Sequence, residues 1–382
     1  MLSLLVPKKD RRVQRQLLQK IIAFFVVLIA FLALAILPNT RANTEELEGK
    51  KIIEWGWSTP SPTYIKEHIE ELEQLPFDGL GIELKVNQGS IHPYNSGWNY
   101  LFSWNVWGRK ALNPEDYSES IEALKNTQFN KFTDNFLIFH VMPGIVDWYD
   151  DDFKSVIANV KLAAEIVKDC HLKGILLDVE HYRAALPPFS YASQLHSDRQ
   201  DFEDYQKKVR ARGREFMKAI NKVSKEIDIL LTFGYQISNY QNQSLEASVY
   251  GLLPAFLDGM LEAAANSMIF DGWEYSYGYK TEKEFEEARK SIKINFLDIT
   301  KVRESFIKHY RASFGLWVDY RHSFDRNDFN KNYFTPKDFE SSVKLALKHS
   351  DRYVWIWSES IGWWKGQMPQ PYIDALKKAR ES

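Results

Sequence analysis

Lys173-Gly174-Ile175-Leu176-Leu177-Asp178-Val179-Glu180-His181-Tyr182 reads as an apolar strand that runs into two carboxylates and an aromatic exit. Side chains alternate along a strand, so Leu176, Asp178 and Glu180 share one face, successive members about 6.5 Å apart. In a closed parallel barrel that face is the interior. The two acids then stand at the C-terminal mouth, where such barrels keep their chemistry. A carboxylate withdrawn from water is costly unless it is paired, hydrogen-bonded or protonated, so shifted pKa values are expected here. Taken alone, the same Asp-x-Glu also fits a loop cap beside a surface ion pair. The rest of the chain decides between the two.

Working outward, seven further short apolar runs flank this one, at 52–57, 77–84 and 135–141 before it and 227–235, 268–275, 314–320 and 353–359 after it. Helix-compatible stretches separate them, predicted near 64–74, 114–126, 153–167, 202–223, 250–265, 282–310, 336–348 and 371–380. Eight such pairs over residues 51–382 predict a single-domain α/β fold, the (β/α)8 TIM barrel. An open doubly wound sheet is the competing architecture. The first strand–helix turn lacks a Gly-x-Gly-x-x-Gly fingerprint, and acids or aromatics end nearly every strand rather than one switch point.

The barrel is preceded by an N-terminal hydrophobic segment. Lys8, Lys9, Arg11, Arg12, Arg15 and Lys20 lead into an apolar run at 21–37, and Thr40-x-Ala42 offers a cleavage site. Residues 1–42 are thus expected to be a signal peptide or a membrane anchor through 21–37, with 43–50 as a linker. The basic flank places the barrel outside the cytoplasm in either case, secreted, periplasmic or membrane-anchored.

The 382 residues carry 49 basic and 51 acidic side chains, so there is no electrostatic footprint for nucleic acid. Cys170, the one cysteine, excludes an intramolecular disulfide and fits a small buried apolar residue. With no Cys/His cluster at zinc spacing and no His-x-His on the first strand, neither a metal nor another cofactor is expected. The outlying feature is aromatic: 12 Trp, 19 Tyr and 24 Phe. Indole and phenol rings stack on sugar faces as well as on core neighbours.

The expected strand ends assemble the candidate site. They bring Trp55 and Trp57, Glu83, His140, then Asp178, Glu180 and His181. Tyr235 follows, then Asp271, Glu274 and Tyr275, Asp319, and finally Trp355, Trp357 and Glu359. A long aromatic loop with His92, Tyr94, Trp98, Tyr100, Trp104 and Trp107 follows the second strand and is expected to wall the site. Cleaving a glycosidic bond needs one carboxylic acid to protonate the leaving oxygen. It also needs a second carboxylate, or a substrate group, facing the oxocarbenium centre. Asp178, Glu180 and Glu274 are the catalytic candidates. Trp55, Trp57, His140, His181, Tyr235, Tyr275, Asp319, Trp355, Trp357 and Glu359 are the candidates for binding a carbohydrate substrate.

The central stretch resembles the fourth strand of the chitinase-like glycoside hydrolases, whose pattern ends Asp-Gly-x-Asp-x-Asp-x-Glu. Gly174, Asp178 and Glu180 match its Gly, last Asp and Glu, while Lys173 and Leu176 stand where that pattern has its first two Asp. Trp355, Trp357 and Tyr275 also resemble that family's strand endings. The resemblance implies Glu180 as the acid and Asp178 as the helper of a substrate acetamido nucleophile. Leu176 departs from that scheme and favours two protein carboxylates instead, Glu180 with Glu274 or Asp319. The alternative function is a catalytically silent, membrane-tethered glycan-binding barrel.

Overall fold

The computed structural model of the chain describes residues 49–90 and 98–381. The hydrophobic run at 21–37, most of the linker, and His92 and Tyr94 of the aromatic loop lie outside them. Among the described residues no helix is long and apolar enough to cross a membrane.

Nine strand segments form one parallel sheet: β1 Lys51–Gly56, β2 Gly79–Ile82, β3 Phe136–His140, β4 Gly174–Asp178, β5 Asp228–Leu231, β6 Ile269–Asp271, β7 Tyr310–Ala312, β8 Phe314–Trp317 and β9 Tyr353–Ser358. Their order is β7-β6-β5-β4-β3-β2-β1-β9-β8. Only Ser313 separates β7, which pairs with β6, from β8, which pairs with β9. The Ser313 N–H donates to Asp271 O and its hydroxyl to Tyr353 O, each at 2.8 Å. The two segments are therefore one bent stave that completes the ring, and the barrel has the expected eight.

Helices α1 Pro62–Leu72, α2 Ser118–Lys125, α3 Phe153–Asp169, α4 Phe202–Val223, α5 Leu253–Glu262, α6 Glu282–Lys293, α7 Arg303–His309, α8 Pro336–His349 and α9 Gln370–Arg380 cover the outside. Their starts follow local chemistry. Ser61 caps α1 ahead of Pro62, and Thr335 and Asp338 form a capping box at α8 with Pro336 at its first turn. The single helix expected over 282–310 is instead broken into α6, a 3₁₀ turn at Asn295–Asp298 and α7, and its end becomes β7. Buried Asp258 on α5 explains the break. It accepts from Thr300 Oγ1 at 2.6 Å and from Lys301 N at 2.9 Å, which holds that segment out of the helix.

The barrel interior is an apolar plug of Ile53, Trp55, Phe136, Ile138, Leu176, Leu230, Phe270, Tyr353, Trp355 and Trp357. Leu176 is part of this plug, so a carboxylate at that position would be buried without a partner. By strand parity His140, Asp178 and Thr232 continue the same inward faces one step further toward the mouth. At the opposite end, Asp78 and Asp134 are held by Arg380 at 2.8 Å and Arg352 at 3.0 Å, acids spent on closing the fold.

Candidate active site

Asp178 ends β4, wholly buried and next to His140 in the β3–β4 register. Its Oδ1 accepts from the Glu180 N–H at 2.9 Å and from Thr232 Oγ1 at 3.2 Å. Its Oδ2 accepts from the Tyr182 hydroxyl at 2.6 Å and lies 3.2 Å from His140 Nε2. The bond from Glu180 N closes an Asx turn, which converts a strand ending into a fixed corner and carries Glu180 over the mouth.

The end of β6 is built the same way. Asp271 accepts from the Trp273 N–H at 3.1 Å, Trp273 takes a left-handed backbone (φ +42°), and the Glu274 N–H donates to Thr232 O at 3.2 Å. Thr232 on the stave between them thus ties both corners together, its hydroxyl to Asp178 and its carbonyl to Glu274.

The electrostatics follow from this convergence. Burial, and then the charge of Asp178, pushes Glu180 up to about 7, against opposing help from Tyr182 and His140. Glu274 is held well above the ordinary carboxyl range, first by burial, then by the charges of Glu180 and Asp178, with a bond from Tyr277 acting the other way. Among the described residues no lysine or arginine forms an ion pair with Asp178, Glu180 or Glu274. Carboxyls that face one another without a cation hold a proton at neutral pH, and a carboxyl that holds its proton there can act as an acid.

A cavity of about 140 Å³ is lined by Trp55, Trp57, Trp98, Trp104, Tyr182 and Trp357 together with Glu83 and His140, and Tyr182 and His140 link it to Asp178. Its rings are contiguous. Trp57 stacks on Trp98 at 5.5 Å, Trp98 meets Trp104 at 5.8 Å, and Trp104 meets Tyr182 at 5.1 Å. Trp57 is 44% exposed, Trp98 41% and Tyr182 41%, unusual for large aromatic side chains away from a binding surface.

Not every expected residue joins the site. Tyr235 is fully buried behind the strand and donates to Asp258 at 2.8 Å; the expectation that it binds substrate is corrected, because its strand ends at Leu231, before it. His181 stacks on Tyr250 at 4.2 Å, its Nε2 accepts from Phe189 N at 3.2 Å, and burial lowers it to about 4. It holds a loop as a neutral ring. Asp319 accepts from Trp317 Nε1 at 2.8 Å and from the backbone N–H groups of Glu359 and Ser360. Glu359 pairs with His322 at 3.3 Å. Trp355 is a plug residue whose Nε1 donates to Gly272 O at 2.9 Å, whereas Trp357 reaches the cavity. Tyr275 packs on Phe233 and Trp273, while Tyr277, two residues on, is the phenol that bonds Glu274.

Residues without a role in the sequence reading also belong here: Ser103, Thr232, Tyr182 and Tyr277, with Glu83 promoted from a rim acid to a member of the His140 cluster. The signal for Thr232 was its parity with the plug residue Leu230. Ser103 carried no signal, since it reaches the site from the middle of a loop.

Among the described residues one group has the makings of metal ligands, Glu282, Glu286 and His349. It lies on α6 and α8, outside the mouth, and Lys348 already pairs with Glu282.

No protein-family model matches the chain, and no curated protein does. Among solved structures it is similar to a GH18 chitinase from Pseudoalteromonas aurantia, with 14% identity and a TM-score of 0.43 over 86% of this chain and 99% of that one. It is similar to a Bacteroides ovatus GH5 xyloglucanase in complex with a XXXG heptasaccharide, with 11% identity and a TM-score of 0.48 over 91% of this chain and 78% of that one. A GH5-4 broad-specificity endoglucanase from an uncultured bacterium is also similar, with 10% identity and a TM-score of 0.46 over 89% of this chain and 96% of that one.

Proposed function

We propose that the chain is a glycoside hydrolase that cleaves O-glycosidic bonds of a polysaccharide or glycoconjugate. The observation that carries this reading is the Glu180–Glu274 pair, Glu180 raised by burial and the charge of Asp178, Glu274 by burial and the charges of Glu180 and Asp178, close to a cavity lined by tryptophans. Glu180 is the general acid: raised to about 7, it holds a proton at neutral pH and gives it to the leaving oxygen. Asp178 fixes Glu180 through the Asx turn and keeps the proton on it by its own charge. Glu274 serves as nucleophile or base in the fraction of molecules in which it has lost its proton while Glu180 keeps its own, and the bond from Tyr277 favours that ionised form. Trp57, Trp98 and Trp104 supply the stacking surface for sugar rings. The basic stretch and apolar run ahead of residue 43 support export of the barrel, which suits a polymeric substrate that does not enter cells.

The test is a hydrolysis screen with the chain from Asn43 onward, on chromogenic glycosides and polysaccharides, beside its Glu180→Gln variant. Turnover should fall on the order of 10³-fold in the variant while sugar affinity persists, the effect of losing a general acid. Sugar binding without turnover by either protein would overturn the reading and leave a glycan-binding barrel.

A further inference from the structure

Beside Asp178 a second polar chain, whose Glu83 and His140 line the aromatic cavity, runs inward from the mouth. Glu83 follows β2 directly, and its Oε1 accepts from the Ser103 N–H at 3.1 Å while its Oε2 accepts from the Ser103 hydroxyl. Ser103 Oγ is 2.7 Å from His140 Nδ1, and His140 Nε2 is 3.2 Å from Asp178 Oδ2. Ser103 is wholly buried and His140 is 4% exposed. The loop that delivers Ser103 is sewn to the staves on both sides, Phe102 N to Leu84 O at 2.9 Å and His140 N to Ser103 O at 3.3 Å. Trp104 and Tyr182 close over the imidazole at 5.0 and 5.8 Å.

We propose that Glu83, Ser103 and His140 form a proton relay that offsets the negative charge left on Glu180 when it gives up its proton. This rests on the reading of Glu180 as the acid.

Counting hydrogens shows why the chain can do this. A serine hydroxyl has one proton, so it donates in one direction at a time. In the first arrangement Glu83 is protonated and donates to Ser103, Ser103 donates to His140 Nδ1, and neutral His140 donates from Nε2 to Asp178. In the second, His140 donates from Nδ1 to Ser103, Ser103 donates to Glu83 carboxylate, and the imidazolium still donates from Nε2 to Asp178. The two hold the same number of protons and satisfy the same contacts. They differ in where one proton lies, on Glu83 with every member of the relay neutral, or on His140, which leaves a carboxylate at the rear and an imidazolium against Asp178. Burial pushes Glu83 up to about 7, so its proton is available near neutral pH.

During turnover the Glu180 proton goes to the leaving oxygen, which places a second negative charge beside Asp178. The Glu83 O–H bond then breaks as Ser103 Oγ takes that proton, and the proton Ser103 held passes to His140 Nδ1. The products are Glu83 carboxylate and an imidazolium facing Asp178. When Glu180 recovers a proton from the incoming water, the relay runs back and nothing is consumed. The titratable groups facing His140 are Asp178, Glu83, Glu180 and Tyr182; those facing Glu83 are His140, Tyr100 and Tyr117. None of these is a lysine or arginine, so the imidazole is the group in contact with Asp178 that can become a cation. Glu83, Ser103 and His140 are positioning residues: they act through Asp178 and Glu180.

The experiment is ¹⁵N NMR of the histidine ring nitrogens in the full chain across pH 5 to 9, for the wild type, Glu83→Gln, Ser103→Ala and Ser103→Thr, each with and without Glu180→Gln. The expected result is an imidazolium fraction on His140 that is larger when Glu180 can ionise than in Glu180→Gln. That difference disappears in Glu83→Gln and Ser103→Ala and survives in Ser103→Thr, which keeps the hydroxyl. In hydrolysis, Glu83→Gln and Ser103→Ala should lower kcat on the order of 10- to 100-fold with KM little changed, as loss of transition-state stabilisation does. His140 nitrogen shifts that are the same in all these backgrounds overturn the relay. The NMR comparison needs no turnover, so a chain that hydrolyses nothing refutes the hydrolase while the relay is still decided.

Discussion

Two arcs of the barrel mouth carry acids at strand ends, and they use them in opposite ways. On the β8–β9 arc, Asp319 is buried and spent on three donors, the Trp317 indole and two backbone N–H groups, while Glu359 has His322. On the β4–β6 arc Asp178 also takes a backbone N–H, but Glu180 and Glu274 crowd beside it with phenols, Tyr182 and Tyr277, as their side-chain donors and with one another's acids as neighbours. The first arc lowers its electrostatic energy by folding. The second keeps it high, which displaces pKa values, and displaced pKa values are what acid–base chemistry at neutral pH requires. Position on the rim does not separate the two arcs; the identity of each acid's partner does.

The largest effect after Glu180→Gln is expected for Glu274→Gln, on the order of 10² to 10⁴-fold in kcat, measured by hydrolysis of the best substrate. A loss below tenfold would return Glu274 to a loop-capping role. Next in size is the pH response. Glu180 works protonated and is raised to about 7, and Glu274 works ionised although it is held well above the carboxyl range, so activity should pass through a maximum above pH 7, falling towards acid as Glu274 takes up its proton and towards alkali as Glu180 gives up its own. A pH–rate profile checks this, and a loss of activity centred in the ordinary carboxyl range would contradict it. The smallest effect on chemistry belongs to the other arc. Asp319→Asn should cost stability, about 1–3 kcal/mol for a buried acceptor turned into an unmatched donor, and change turnover by less than tenfold. Chemical denaturation beside a rate assay separates the two. A collapse of turnover at intact stability would move Asp319 into the catalytic group.

Much of this was legible in the sequence because strand parity is a short-range rule. Leu176, Asp178 and Glu180 are two apart on one run, and the structure turns that run into the barrel's inner wall and mouth. The eight staves were readable as apolar runs between helix-compatible stretches. The bend at Ser313 was not, since it depends on bonds to Asp271 and Tyr353 on two different neighbours. Tyr277 was missed because the chain leaves β6 as a 3₁₀ turn, Glu274–Gly278, in which residues three apart align. A strand continued to Tyr275 points the wrong phenol at the site. The role of Asp319 depended on backbone groups 40 residues away, which spacing does not reveal. Ser103 was hidden for the same reason, a hydroxyl delivered by a loop whose anchoring is long-range.

The central claim is that the β4–β6 arc keeps carboxyl protons at neutral pH. It is tested most directly by ¹³C NMR titration of the glutamate side-chain carboxyls, with resonances assigned by their loss in Glu180→Gln and Glu274→Gln. Both are expected to titrate far above the ordinary 4.5, with Glu274 lowered when Glu180 is replaced by Gln. Two carboxyls that titrate independently near 4.5 would contradict it.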